Sequence, residues 1–186
     1  MREDARSGRG GRQFDLAKVA PYQSFMSSEP KRPRTLHRWL KSTSRRTFIV
    51  YPVCIIVFEL MIRRGVLVFV PWGLPLLVWG YLQYRLGGQY RTRMGGGGPG
   101  LSNPPERIVD TGIYAYTRNP MYLAHLIFMA GLAITFWSLA ALALLVVHLP
   151  WYQRRVRGDE AHLKTLFGQD YADYAARVKR WIPGLL

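Results

Sequence analysis

Apolar and polar positions along this chain fall into blocks. Residues 47–62, 66–84 and 121–152 are nearly uncharged, and the segments between them carry most of the Arg, Lys, Asp, Glu and Gly. Long apolar runs without period-two alternation read as helices apolar on every side, not as half-exposed strands. At ~1.5 Å per residue, residues 47–62 cover roughly 24 Å, a little under a ~30 Å bilayer core, and Arg63 and Arg64 can snorkel to make up the difference. Glu59 lies one turn before Arg63, so an i,i+4 pair can neutralise it; contact with substrate is the alternative. Pro71 and Pro75 are expected to kink the second span, 66–84. A tight Arg64-Gly65 connection makes the first two spans a hairpin. Residues 121–152 would form a helix of ~48 Å, too long for one crossing. Thr135-Phe136-Trp137-Ser138 is the natural break, giving spans at about 121–135 and 138–153.

The remaining segments are polar. Residues 85–118 read as a cytoplasmic loop, with Gly95-Gly96-Gly97-Gly98-Pro99 and Pro104-Pro105 as a flexible lid or linker. Those glycines lack the preceding strand and the spacing of a dinucleotide fingerprint. In the C-terminal helices, 159–182, Leu163, Leu166 and Phe167 share one face until Gly168, and Tyr171, Tyr174 and Val178 form the face of a second short helix. The expected fold is an all-α integral membrane protein. It has about four transmembrane helices in two hairpins, C-terminal cytoplasmic amphipathic helices and no Rossmann domain.

Charge orients this picture. Of 26 Lys and Arg, residues 1–46 hold 12, the central loop 5 and residues 153–186 another 7; only Arg63 and Arg64 fall on the opposite side of a four-span arrangement. The positive-inside rule then places both termini in the cytoplasm. A net charge of +15 would suggest nucleic acid in a soluble protein. Here the basic residues avoid the apolar runs, so anionic lipid head groups are the expected partner of the tail 1–46, and nucleic acid is not. Within that tail, Leu36, Trp39 and Leu40 alternate with basic residues, as in an interfacial helix or a solvated basic linker. The tail shows no apolar signal-peptide segment, so a cleavable signal is not expected. The lone Cys54 excludes an internal disulfide and reads as a small buried hydrophobe. No metal-ligand spacing is present.

Two polar clusters flank the third and fourth spans, and an ionisable group beside a bilayer is a functional-site hypothesis by default. Arg118 and Asn119 supply donors, and Pro120 can open a helix whose N-terminal N–H groups suit a carboxylate. Asp159 and Glu160 offer acceptors for an ammonium or a ribose. A ligand with a carboxylate, an ammonium and a ring for Tyr114 or Tyr122 would fit, and S-adenosylmethionine is one. The plain alternative is a membrane-edge salt bridge between Arg118 and Glu160. His125 lies three residues after Tyr122 and is a candidate proton acceptor, as is Glu160; for His125 and His148 a satisfied intramembrane polar residue is the alternative.

The stretch Gly95–Pro183 resembles the isoprenylcysteine carboxyl methyltransferase and phospholipid methyltransferase superfamily. The matching pieces are Pro99 with Pro104-Pro105, Arg107-Ile108-Val109, Gly112-x-Tyr114, Arg118-Asn119-Pro120-Met121-Tyr122, Asp159-Glu160-x-x-Leu163, Phe167-Gly168-x-x-Tyr171-x-x-Tyr174 and Val178-x-Arg180-x-x-Pro183. The resemblance implies S-adenosylmethionine at the cytoplasmic face and a lipophilic acceptor, carboxylate or amine, arriving from the bilayer. Carried over by position, the cofactor site comprises Gly112, Tyr114, Arg118, Asn119, Pro120, Tyr122, Asp159 and Glu160, with Glu160, Arg118 and His125 as catalytic candidates. Asn119 replaces the histidine of the family's Arg-His-Pro variant, and Asp159-Glu160 replaces a Glu-Glu pair, leaving Glu160 as the expected essential carboxylate. Two further readings stay open: a sterol-reductase-like membrane NADPH reductase and a non-enzymatic basic membrane scaffold. Arg154, Arg155 and Arg157 could hold either an acceptor carboxylate or the reductase's extra phosphate.

Overall fold

The computed structural model describes residues 42–98 and 105–181. Among these residues every regular element is helical. Tyr51–Ile62 (α1) follows a helical turn, Thr43–Arg45, and a π-wound segment, Arg46–Val50. Pro52 has no N–H to offer the carbonyl four residues earlier, and the widened turn lies at that point. Leu74–Gly95 is α2, Pro120–Thr135 is α3 and Leu139–Arg177 is α4. Among the described residues no helix is both long enough and apolar enough to cross a membrane. α1 has 12 residues and α3 has 16, α2 runs from apolar into Arg85, Arg91 and Arg93, and α4 is charged from Arg154 onward.

α1 and α2 form one hairpin and α3 and α4 the other. Arg64 (φ 51°) and Gly65 (φ 90°) reverse the chain after α1. The second reversal falls between Thr135 and Leu139, where Trp137 adopts φ 46° and the Ser138 hydroxyl accepts from the Ala141 N–H at 3.1 Å to cap α4. The two reversals are tied together. Glu59 holds Arg63 at 2.7 Å, and the Arg63 guanidinium donates to the Trp137 carbonyl at 2.9 Å. Glu59 is thus consumed by the structural pair.

α2 and α3 approach closely because their contact is built on glycine. A Cβ on Gly80 would lie 2.8 Å from both the Ala124 carbonyl oxygen and the Phe128 nitrogen. Small residues at a helix seam allow this intimacy and the dispersion contacts that come with it. Around the seam, Ile55, Phe128, Leu132, Phe136 and Ala141 form one core cluster and Tyr122, Met129, Tyr152 and Val156 a second. The outer surfaces are apolar too: Val53, Met61, Trp72, Trp79, Leu139 and Val147 are all exposed.

Four expectations need correction. Pro71 and Pro75 do not kink a helix; residues 66–70 are non-helical, Pro71–Gly73 forms a 3-10 turn, and Pro75 sits in the first turn of α2, where its missing N–H costs nothing. The segment after Tyr84 is not loop, since α2 continues to Gly95. Packing of Gly87 and Gly88 against Met121 outweighs their poor helix propensity. Gly95 is buried against Val109 and Gly96 (φ 72°) ends the helix, so the start of the glycine run is a fixed stop. Residues 138–153 and the helix expected at 159 are one element, unbroken until Gly168 (φ 56°, ψ −122°). Cys54 is exposed, not buried. The expected interfacial helix at Leu36–Leu40, and Pro99, Pro104 and Pro183, lie outside the described residues.

Candidate functional site

Three segments converge at the polar end of the α3–α4 hairpin. The first is the loop before α3. Gly112 (φ 59°) packs where a Cβ would meet the Tyr90 ring at 2.7 Å, so only glycine makes this turn. The 3-10 turn Gly112–Ala115 then buries Tyr114, whose hydroxyl donates to the Gly87 carbonyl at 3.4 Å and whose own carbonyl accepts from Tyr174 at 2.8 Å. Burial pushes the Tyr114 hydroxyl up to about 12.

The second and third segments are locked by a clasp. The Arg118 N–H donates to the Lys179 carbonyl at 3.0 Å; the Thr117 hydroxyl and the Asn119 amide donate to the Arg180 carbonyl at 3.2 and 3.3 Å. Glu160, largely buried, sits at the centre. Its Oε2 accepts two hydrogen bonds from Arg180, at 2.9 and 2.8 Å, and its Oε1 accepts from Asn119 at 3.1 Å and lies 3.6 Å from Arg118 Nε. Hydrogen bonding to Glu160 holds the Arg180 guanidinium above its ordinary value. One turn away, Tyr122 donates to Asp159 Oδ2 at 2.5 Å, and Arg155 lies 3.6 Å from Oδ1. The first turn of α3 is thereby fixed to α4 at two adjacent carboxylates.

Between these contacts lies a cavity whose walls are mostly apolar. Of the residues singled out in the sequence, Tyr114, Arg118, Asn119, Pro120, Tyr122 and Asp159 line it. Met121, Leu163, Phe167, Tyr171 and Tyr174 complete the apolar side. Burial raises the Tyr171 hydroxyl to about 12 and lifts that of Tyr174 further. Arg118 Nε is buried without a hydrogen-bond partner. That nitrogen faces Glu160 at 3.6 Å, an ion pair without a hydrogen bond, and the Arg118 side chain forms part of the wall of this cavity.

The other candidates sit elsewhere. Gly112 shapes the Tyr114 turn without lining the cavity. Glu160 faces a neighbouring cavity behind the clasp. His125 is fully buried one turn deeper in α3, against Phe48, Tyr84 and Tyr152; its Nδ1–H donates to the Met121 carbonyl at 2.6 Å, and it does not reach the cavity. His148 donates from Nδ1 to the Leu144 carbonyl at 2.7 Å, so its Nε2 accepts from Tyr51 at 2.9 Å. Two residues of this region were not among the expected site residues. Arg91 lines the cavity from α2 and was placed in a loop; Tyr84, Gly87, Gly88 and Arg91, at helical spacing, were the available signal. Arg180, quoted in the Val178-x-Arg180-x-x-Pro183 piece without a site role, completes the clasp from 20 residues beyond Glu160, a separation with no local periodicity to pair the two. Among the described residues no group of three His, Cys, Asp or Glu could hold a metal ion.

Residues 95–170, which contain Tyr114, Arg118, Tyr122, Asp159 and Glu160, match the phospholipid methyltransferase family model. The segment is thus similar to phospholipid methyltransferases, and it is similar to isoprenylcysteine methyltransferases as well. Protein-S-isoprenylcysteine O-methyltransferase B of Arabidopsis thaliana is 32% identical over 78 residues, covering 41% of this chain and 40% of that protein. The protein-S-isoprenylcysteine O-methyltransferase of Schizosaccharomyces pombe is 30% identical over 82 residues, covering 44% and 35%. The methyltransferase match thus spans about two fifths of those relatives or less. The structure of the eukaryotic intramembrane Ras methyltransferase ICMT aligns over 91% of this chain and 63% of its own, with a TM-score of 0.57 at 19% identity. At that identity the likeness is one of fold, and it extends beyond the family segment to α1 and α2.

Proposed function

We propose that this chain is an S-adenosylmethionine-dependent methyltransferase acting on the carboxylate of a lipophilic acceptor at the cytoplasmic face of a membrane. One observation carries the reading: Tyr122–Asp159 and the Glu160 clasp join both ends of the α3–α4 hairpin around an apolar cavity whose wall carries the cations Arg91 and Arg118 and one carboxylate, Asp159. The residues fit the cofactor. Arg118 suits its carboxylate, Asp159 its ammonium or ribose hydroxyls, and the Tyr114, Phe167 and Tyr174 rings its adenine. When bound, S-adenosylmethionine would supply an electrophilic methyl group, open to in-line attack by the acceptor oxygen with S-adenosylhomocysteine as the leaving group. The protein's part is to orient and to keep the cavity dry. The Tyr122 hydrogen bond fixes Asp159, and the clasp fixes Arg118, so neither has to reorganise when a charged ligand arrives.

The acceptor class follows from the cavity wall. Asp159, its lining carboxylate, is already held by Tyr122 and flanked by Arg155, a poor state for taking a proton. His125 lies outside the cavity. A carboxylate acceptor needs no proton removed, so it suits this wall better than an amine. The exposed apolar belt on α1, α2 and α4 supports immersion in lipid, and the basic segments on one side support cytoplasmic termini.

Transfer of tritiated methyl groups from S-adenosylmethionine tests the proposal, with N-acetyl-S-farnesylcysteine and phosphatidylethanolamine as alternative acceptors. Base-labile label on the first is expected. Label on the second would replace carboxylate by amine chemistry, and no transfer to either would reject both acceptor classes.

A further inference from the structure

Behind the Glu160 clasp lies a second cavity, open to solvent. Its charged wall consists of Arg118, Arg157, Lys164 and Arg180 against a single carboxylate, Glu160. The folding of α4 explains how these side chains meet. Arg157, Glu160, Ala161 and Lys164 follow one another at i, i+3, i+4 and i+7, a stripe along one helical face. At Gly168 the chain turns, and the last helical section presents Ala172, Ala175 and Ala176 to that stripe. Alanine leaves room beneath the cations and contributes no competing acceptor.

The cations are not equally committed. Arg180 donates both its hydrogen bonds to Glu160, and Arg118 is within 3.6 Å of it. Arg157 and Lys164 have no acidic partner among the described residues, although both are positioned on the cavity wall. Four positive groups thus surround one negative group, a surplus that a solvent-open recess fills best with an anion. We propose that this cavity binds a phosphate group, presented by a phospholipid head group or as free phosphate. An Arg and a Lys converging on a recess match phosphate well, the guanidinium through paired N–H donors and the ammonium as a point charge. Along α4, Arg157 lies roughly 8 Å beyond Tyr152 and Lys164 roughly 18 Å. With the span expected at about 138–153 in the apolar slab, in keeping with the lipid immersion proposed above, Arg157 stands at head-group depth.

The site does not depend on methyl transfer, so its test uses binding alone. The full chain in a neutral detergent is titrated calorimetrically with inorganic phosphate and, separately, with dihexanoyl phosphatidylglycerol. The same titrations are run on the double variant R157Q/K164Q. Both side chains are exposed, so the variant is expected to melt with wild type. Saturable binding at one site, weakened at least about tenfold in the variant and by raising salt from about 0.1 M to 1 M, is the expected result. Stronger binding of the lipid assigns the site to head groups; binding of phosphate alone assigns it to a soluble anion. Absence of saturation by either probe, or equal binding to the double variant, overturns the proposal.

Discussion

Replacing Glu160 by glutamine removes the charge at the centre of the clasp while keeping its shape. Two hydrogen bonds from Arg180, at 2.9 and 2.8 Å, lose their anionic acceptor, and Arg118 at 3.6 Å loses its countercharge. Each charge-assisted hydrogen bond contributes about 1.5–3 kcal/mol. The Arg180 side chain keeps 28% of its exposure and can recover hydration, which discounts the sum to about 2–3 kcal/mol for opening the clasp. The loss is local: the segment 178–181 is freed from 117–119, and the Arg118 N–H loses its Lys179 carbonyl. Hydrogen exchange should therefore show the Arg118 amide deprotected in E160Q, with the α2–α3 seam unchanged. On the proposed reading, the closed clasp holds Arg118 in place on the wall of the methyl-donor cavity. Affinity for S-adenosylhomocysteine is accordingly expected to fall by at least about tenfold and at most roughly 100-fold. If Glu160 acts by holding Arg180 and Arg118, then R180Q should cause a similar loss, and E160Q/R180Q should be little worse than either single variant. Additive losses, or wild-type affinity in E160Q, would refute a positioning role.

Three further outcomes are expected. Gly80→Ala should lower the melting temperature, by the equivalent of about 1–3 kcal/mol of overpacking, whereas Gly158→Ala, with open space around the added Cβ, should raise it slightly; equal effects would contradict the close α2–α3 seam. His125→Ala should destabilise the fold by emptying a buried site while leaving S-adenosylhomocysteine affinity within about threefold and the pH profile of turnover unchanged; a shifted profile would restore His125 as a proton acceptor. Tyr114 ionises less readily folded than unfolded, so its stabilisation is complete below pH ~10 and lost as pH rises towards about 12. Melting temperatures of wild type and Tyr114→Phe should therefore converge over that window, and parallel curves would exclude the effect.

What the sequence made legible follows from what each residue depends on. Thr135-Phe136-Trp137-Ser138 marked the α3–α4 break because helix length is a local property. Glu59 and Arg63 announced their pair through i,i+4 spacing. Asp159, Glu160, Arg118 and Tyr122 were visible because charged and aromatic groups flank an apolar run. Two of the errors come from tertiary packing. Gly87 and Gly88 continue a helix only because Met121 and Pro120 lie against them. Pro71 and Pro75 punctuate a helix start because Val70 is drawn out of helix by the Thr135 carbonyl, 2.7 Å from its N–H. The division of labour between the two carboxylates was also hidden. Asp159 faces the apolar cavity and Glu160 the clasp, although they are adjacent in sequence, because successive helical residues point about 100° apart.

Calorimetric titration of S-adenosylhomocysteine and of NADPH into the detergent-purified chain, with Asp159→Asn alongside, addresses the methyl-donor cavity directly. Micromolar binding of S-adenosylhomocysteine that Asp159→Asn weakens, with no heat from NADPH, is the predicted result. A folded wild-type protein that ignores S-adenosylhomocysteine, or binds NADPH in its place, would contradict the assignment.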